Sequence, residues 1–482
     1  MKPESRIICL VVLLGCFSVF TWSQTIEDAA IDSVDAGQTA SPEAPSAPEL
    51  VQNNPSQQSA FNLGISIAYI SMQSGNSPTQ VGWQKLGITP DIPIGQFGIG
   101  FDLNILFRFN GGVDGHSFEI RPDDWVVSSF LNFLEVYLPK IQYIRYGNKG
   151  DPVYLLLGSL YNGQLGNGFI VNGYTNTLCQ PQQRLFGASF DLDGSAFSFP
   201  YIGFETMVGN LAALDLMAAR FYIRPGAKSG TPALEGTQIG VSFATDTNPH
   251  YFSSDLALKA NPGRDTVFDW GIDFMQPIVT EKLFSLNFLG DMAFQKAHVG
   301  GQIGFGGKAV VFLNYLLAVR YIGDNFIPNY FGASYDLLRE EEKLVYDATT
   351  IVSPAYAGWL FNLGFSFLNN GLVFNFAVDG PFIFDPTILT KNPNLKITLG
   401  LQEGILAGFS FQAVYDKHFI RSWADLITPI DALISLAAGY KMGPAKISLI
   451  YDIRYDPNLQ LAGNTQPWKV SSRLETSFDL SK

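Results

Sequence analysis

Between Phe97 and Phe109 the chain alternates without a break. Phe97, Ile99, Phe101, Leu103, Ile105, Phe107 and Phe109 fall on one parity, and Gly98, Gly100, Asp102, Asn104, Leu106 and Arg108 on the other. A β-strand sends successive side chains to opposite faces. One face of this strand is therefore wholly apolar, and the other carries glycine, amide and charge. The pattern recurs. Phe61, Leu63, Ile65, Ile67 and Tyr69 oppose Asn62, Gly64, Ser66 and Ala68. Phe268, Trp270, Ile272 and Phe274 oppose Asp269, Gly271 and Asp273. Trp359 to Phe367 and Leu372 to Asp379 form two such runs, joined at Asn369-Asn370-Gly371, whose residues accept the positive φ of a tight hairpin. Leu395 to Gln402 and Lys446 to Tyr455 repeat the alternation.

Each run approaches the 9–11 residues that a tilted membrane strand needs. Further candidates lie at 139–147, 152–160, 183–192, 199–208, 214–224, 236–246, 283–294, 309–321, 325–336, 405–416 and 432–441. Apolar faces rich in Phe, Trp and Tyr, set against charged and Gly-rich faces, suit a wall between lipid and water. A soluble sandwich or propeller would share the alternation but would favour Val and Ile over aromatics. The pattern predicts an all-β fold: a transmembrane antiparallel barrel over 59–482. Merging doubtful neighbours gives roughly 14 to 18 strands, and the even-number rule favours about 16. Val153 to Leu157 and Leu433 to Ala438 are apolar on both faces, which predicts a plug or folded-in loop inside them. Glu340 to Tyr346 and Arg421 to Ile427 read as short helices in loops or at the membrane surface. The stretches 111–128 and 337–354 read as exposed loops.

The N-terminus adds a destination. Lys2 and Arg6 precede an apolar run from Ile7 to about Phe20, followed by Thr21-Trp22-Ser23. This has the form of a signal peptide, 1–23, and is too short for a spanning helix. Leu13-Leu14-Gly15-Cys16 also looks like a lipoprotein cleavage box, but a lipidated Cys16 would leave an apolar mature start, so cleavage after Ser23 is expected. Residues 24–58 hold six acidic residues, four prolines and no Lys or Arg. They predict a disordered leader.

Composition narrows the class. Charged residues are 15% and aromatics 14% of the chain, and no apolar run after the signal is long enough for a helical span. With Cys9 and Cys16 in the signal, Cys179 stands alone, so no intramolecular disulfide or Cys-based metal site is expected. A net charge of −13 argues against nucleic acid.

Motifs for chemistry fail one by one. Gly158 to Gly173 only loosely echoes a dinucleotide fingerprint, because Val171 stands where the third Gly should be. A Gly-rich loop or a strand hugging an interior element is the expectation there. Gly306-Gly307-Lys308 lacks the first Gly and the Ser or Thr of a phosphate loop. His116, His250, His298 and His418 show no ligand spacing. Asp416 and His418 share a strand face and read as a polar rim pair. No enzymatic activity, cofactor or metal is expected.

The last strand carries a family likeness. Trp468, Val470, Leu474, Phe478 and Leu480 alternate with Lys469, Arg473, Glu475 and Asp479. This resembles the C-terminal assembly signal of bacterial outer-membrane β-barrels of Gram-negative or spirochaete type, although Phe478 is not terminal. The resemblance implies recognition of Trp468 to Leu480 by the barrel-assembly machinery and residence among outer-membrane lipids. The expected function is a porin-like channel for small solutes. A transporter of hydrophobic compounds such as fatty acids, and a surface adhesin or structural barrel, are the alternatives. Candidate lumen-lining residues are Asp102, Asn104, Arg108, Asp269, Asp273, Lys396, Asp416, Asp452, Arg454, Lys469, Arg473 and Glu475. Inward acids (these, with Asp456 and Asp479) outnumber inward bases eight to five, which predicts at most a slight cation preference.

Overall fold

The computed structural model describes residues 61–73, 80–110, 117–180, 183–253, 265–310, 312–368, 370–455 and 467–480. The expected signal peptide and leader, with Cys16 and Asp456, lie outside the described residues.

The strands run in chain order as β1 (Asn62–Gln73), β2 (Gln80–Ile94), β3 (Phe97–Phe101), β4 (Leu103–Asn110), β5 (Ser117–Ile120), β6 (Ile141–Tyr146), β7 (Val153–Gly158) and β8 (Val171–Asn172). They continue as β9 (Gly187–Asp193), β10 (Ile202–Val208), β11 (Leu216–Ile223), β12 (Gln238–Asp246), β13 (Val267–Thr280), β14 (Ser285–Gln295), β15 (His298–Ala309), β16 (Leu313–Ile322) and β17 (Phe331–Gly332). The last are β18 (Tyr356–Phe367), β19 (Leu372–Pro381), β20 (Asn394–Leu406), β21 (Phe409–Lys417), β22 (Ala432–Met442), β23 (Ala445–Tyr455) and β24 (Trp468–Asp479). Among the described residues three α-helices interrupt them: α1 (Phe130–Tyr137), α2 (Pro232–Glu235) and α3 (Tyr335–Asp347).

Antiparallel pairing closes the wall into a ring. β1 pairs with β2, β2 with both β3 and β4, β3 with β6, and β4 with β5. From β6 each wall strand bonds to the next through β7, β9 to β16 and β18 to β24. β24 returns to β1, from Gly64 opposite Asp479 to Ser71 opposite Ser472. Since β3 and β4 are halves of one wall strand broken at Asp102, and β5 and β6 halves of the next, the ring has 20 positions. The expectation of about 16 strands is thus corrected to 20. β2 and β15 were not among the expected strands, and 325–336 is not a wall strand.

The phase read from the sequence can be checked by exposure. Phe97, Leu103, Ile105 and Phe109 are exposed on β3 and β4, and Phe268, Trp270 and Ile272 on β13. Their inward neighbours Asp269 and Asp273 are buried. Outward rings stack across strands, as between Trp270 and Phe294, and between Phe312 and Phe367. The hairpin at 369–371 places Leu368 and Asn370 at positive φ, 54° and 66°, the conformation that Asn tolerates better than most residues.

Both chain ends of the wall, at Asn62 and Asp479, lie at one end of the barrel. At that end neighbouring strands are joined by short connections such as 95–96, 407–408 and 443–444. The opposite end carries the long connections 159–186, 323–355 and 418–431. In outer-membrane barrels the short turns face the periplasm and the long loops the outside.

Two of the long connections fold inward. Leu160, Leu165, Phe169, Ile170, Val171 and Tyr174 from the first meet Phe326, Tyr330, Phe331, Tyr335 and Tyr346 from the second. They pack on wall residues Met207, Leu216, Ala218, Ala244, Val267, Ala293 and Ile322. Parallel pairing of β8 with β17 ties the two connections together. Burying each such aromatic side chain contributes about 1.5–3 kcal/mol, so this filling is a core in its own right. The expectation of exposure for 337–354 holds for Leu344, Ile351 and Val352 and fails for one face of a helix. Most of the stretch is α3, whose Arg339 and Tyr346 are buried inside the barrel, because its Tyr and Arg face finds partners there. α3 covers the expected Glu340–Tyr346 helix but not at the membrane surface. Of the expected helix at Arg421–Ile427, only a short 3-10 turn at Asp425–Ile427 forms.

Candidate functional site

The filling occupies one side of the barrel and leaves the other side wet. A cavity of about 1070 Å³ lies between the filling and β16, β18 to β24 and β1. It opens among the long connections at Asn394, His418 and Arg421 and descends to Thr398, Gln412, Ala437, Ile450 and Arg473. Leu433, Ser435 and Ala437 border it, so the expected cover over Leu433 to Ala438 is absent from the cavity face. Over Val153 to Leu157 the cover is present, with Leu156 packed on the core.

The twelve lumen candidates divide in two. Lys396, Asp416, Asp452, Arg454 and Arg473 border the cavity. Lys396 lies 3.6 Å from Asp416, which also accepts from Ser334 Oγ at 3.2 Å. Asp452 accepts from Ser435 at 2.6 Å and Ser471 at 3.4 Å, and Arg454 reaches the Gln180 carbonyl at 3.4 Å. Arg473 sits 3.4 Å from Glu475. The other seven lie off the cavity. Asp102 pairs with Arg184 and accepts from Asn104 at 2.7 Å. Arg108 pairs with Glu119 at 2.7 Å and covers Trp83 at 4.7 Å. Asp269 accepts from Gln295 at 2.9 Å, and Arg220 grips Asp273 through two bonds of 2.5 and 2.9 Å. Glu475 pairs with Lys85 at 3.1 Å, and Lys469 stands opposite Arg454 in the β23–β24 register.

The Gly158–Gly173 stretch is the inner face of the filling. Gly166, at φ 53°, lies so close to the Arg220–Asp273 pair that an added Cβ would meet Arg220 Nε at 2.8 Å and Asp273 Oδ2 at 3.0 Å. Asn167 Nδ2 donates to the Phe274 carbonyl at 3.1 Å and to Asp291 at 3.2 Å. Glycine here lets a loop backbone lie against a charged wall; of the two expectations the structure shows the Gly-rich loop and not a strand hugging an interior element.

Sequence reasoning missed several cavity residues. Arg320 and Asp379, 3.7 Å apart, both border it. Arg320 shares a parity with Leu316 and Ala318, opposite the exposed Leu317, Val319 and Tyr321. That phase was legible within 309–321. Glu341 and Glu342 come from α3, and no periodicity could place them in a lumen. Burial, with Glu341 and Asp269 nearby, pushes the Glu342 carboxyl well above the usual carboxylate range. The cavity thus carries Arg320, Lys396, Arg421, Arg454 and Arg473 against Glu341, Glu342, Asp379, Asp416, Asp431 and Asp452.

His418 Nε2 lies 3.3 Å from Asp416 Oδ1 at the wide end. Asp416 holds both Ser334 and His418, whereas activation of a serine needs the imidazole between hydroxyl and carboxylate. Desolvation would lower the His418 pKa, but the Asp416 carboxylate outweighs it and the net shift is upward. A raised histidine contributes stability below its unfolded pKa of about 6.5 and loses it as pH rises through the native value. Loss of that charge leaves the cavity more acidic. We expect cation preference, read from reversal potentials between pH 6 and 9, to rise with a midpoint above the ordinary histidine value. A flat profile, or the same profile in His418→Gln, contradicts the assignment.

No known protein-family profile matches the chain, and no curated protein matches it. Solved structures do align with it at low similarity. OccK2 (OpdF) of Pseudomonas aeruginosa aligns at 9% identity over 87% of this chain and 97% of that one, with a TM-score of 0.32. The outer membrane protein OprD of the same organism aligns at 11% identity over 92% and 98%, with a TM-score of 0.31. OccAB4 of Acinetobacter baumannii aligns at 11% identity over 89% and 100%, with a TM-score of 0.31. At such scores the closed ring and its filling stand on this chain's own strand pairing.

Proposed function

We propose that this protein is an outer-membrane channel of the porin type, passing small polar solutes through a one-sided lumen. The observation that carries the reading is the cavity of about 1070 Å³ bordered by charged groups of both signs inside a closed wall with an apolar exterior. Charge and width at the narrow part set what passes. With charges nearly balanced, discrimination is by size and by local contacts more than by net sign. The aromatic filling would suit a carrier of hydrophobic compounds, yet the cavity beside it is too charged to welcome them. The adhesin reading is weakened at one of its two proposed loops, since the Arg339, Lys343 and Tyr346 face of α3 within 337–354 is turned inward. The assigned surroundings are outer-membrane lipid, and Trp468 to Leu480 is the segment offered to the barrel-assembly machinery.

Arg454→Gln with Arg473→Gln removes two cavity cations. The double variant should shift the reversal potential in a potassium chloride gradient toward potassium relative to wild type. An unchanged potential would mean that ions do not pass these residues.

A further inference from the structure

The wall is not uniformly tall. β7 has 6 residues, β9 and β10 have 7 each, and β11 has 8, short of the 9–11 that a crossing strand needs. Beside them the ladder is interrupted. Arg121 N donates to the Leu106 carbonyl at 2.8 Å, Asp102 N donates to the Lys140 carbonyl at 2.9 Å, and residues 121–140 leave the wall between those points. Among the described residues β5 pairs with β4 and with no second strand. Within a bilayer an open strand edge leaves backbone groups without partners at a cost of several kcal/mol each. A helix satisfies its own backbone, and α1 lies in this segment. It is capped by Ser129, whose hydroxyl accepts from Asn132 N at 3.1 Å.

The segment has two unlike sides. A polar link ties it to the protein, where Tyr251 donates to Glu135 at 3.0 Å, and within the segment Lys140 donates to the Asp124 carbonyl at 2.8 Å while lying 3.8 Å over the Trp125 ring. Away from these, Val126, Phe130, Leu131 and Phe133 are 66, 73, 61 and 44% exposed. They continue the outward apolar surface of the adjoining strands at Leu103, Ile105, Phe109 and Phe118.

We infer that α1, with the chain leading into it and out of it, is a helical patch in the barrel wall, standing where the strands are too short, and that lipid acyl chains in the half of the bilayer nearer the long connections cover its Phe130, Leu131 and Phe133. The inference rests on the membrane reading proposed above. Its occupant follows from continuity: the patch extends the surface that already faces lipid, and a helix is the other backbone form that lipid tolerates.

The test is nitroxide accessibility in a refolded full chain freed of its own cysteines (Cys9→Ser, Cys16→Ser, Cys179→Ser). Phe130→Cys and Leu131→Cys report on the patch, and Ile272→Cys on an ordinary strand of the wall. We expect all three labels to be accessible to oxygen and protected from a water-soluble nickel chelate. Labels at 130 and 131 open to nickel, with 272 protected, would overturn the inference and leave the barrel in its membrane. All three open to nickel would instead remove the membrane reading. Labels at 130 and 131 shielded from both reagents, with spin–spin broadening, would mean that a second copy of the chain covers the patch, which also overturns it.

Discussion

Replacing Arg339 with methionine is expected to free the lumen filling and raise single-channel conductance while the barrel stays closed. Arg339, on α3, is 2% exposed. It donates to Asp215 at 2.6 Å, to Asp246 at 3.0 Å and to Asp336 at 2.6 Å. Asp215 precedes β11 and Asp246 ends β12, so one guanidinium ties the filling to the wall. Tyr335 donates to Asp246 at 2.7 Å and Tyr174 to Asp336 at 3.3 Å, which joins both inward connections to the cluster. Even with the arginine present, burial raises the Asp336 carboxyl to about 6. Methionine keeps the bulk and removes the charge, leaving three buried carboxylates without a cation. Breaking a buried ionic cluster by removing one partner costs about 3–5 kcal/mol. The strand ladder does not involve Arg339, so the cost falls on the filling. Conductance should rise and the 323–355 connection should become sensitive to protease, with unheated SDS mobility unchanged. Wild-type conductance together with protease resistance would show that the cluster does not hold the filling in place.

The second large effect concerns facing. Ile272 on β13 is 47% exposed and points away from the lumen, whereas Gln412 on β21 borders the cavity. Arginine on the lipid face costs about 2–4 kcal/mol near the bilayer midplane, because hydrocarbon offers a guanidinium no partner. In the wet lumen it keeps its water. Ile272→Arg should therefore cut the yield of folded protein in vesicles, and Gln412→Arg should fold at wild-type yield with an altered ion preference. Equal folding of the two would contradict the assignment of faces.

Much of the wall was legible because an apolar exterior and a polar interior enforce a strict period of two. Phe97–Phe109 and Phe268–Phe274 show this most plainly. Two strands escaped for opposite reasons. β2 carries Pro90 and Pro93, residues that interrupt most strands, and the chain continues as strand through both. β15 contains Gly300, Gly301, Gly304, Gly306 and Gly307 in place of a side-chain alternation. One of its glycines answers the filling: a Cβ at Gly300 would meet the Phe326 ring at 2.3 Å. Phe326 itself lies in 325–336, which looked like a strand because its aromatic residues are buried on several sides. The lumen was legible only where wall strands form it. Lys396, Asp416, Asp452, Arg454 and Arg473 follow from parity, but parity could not tell them from Asp269 and Asp273, which point inward beneath the filling. That difference is set by two connections packing across the barrel, a tertiary event with no local period.

One measurement tests the one-sided lumen most directly: single-channel recording of refolded protein in a planar bilayer, with cysteines placed on a cysteine-free background. Ser435 borders the cavity and Ser242 faces inward beneath the filling. The account predicts stable conductance steps that a bulky charged methanethiosulfonate reduces in Ser435→Cys and leaves unchanged in Ser242→Cys. Folded protein without steps, or block at Ser242→Cys and not at Ser435→Cys, would contradict it.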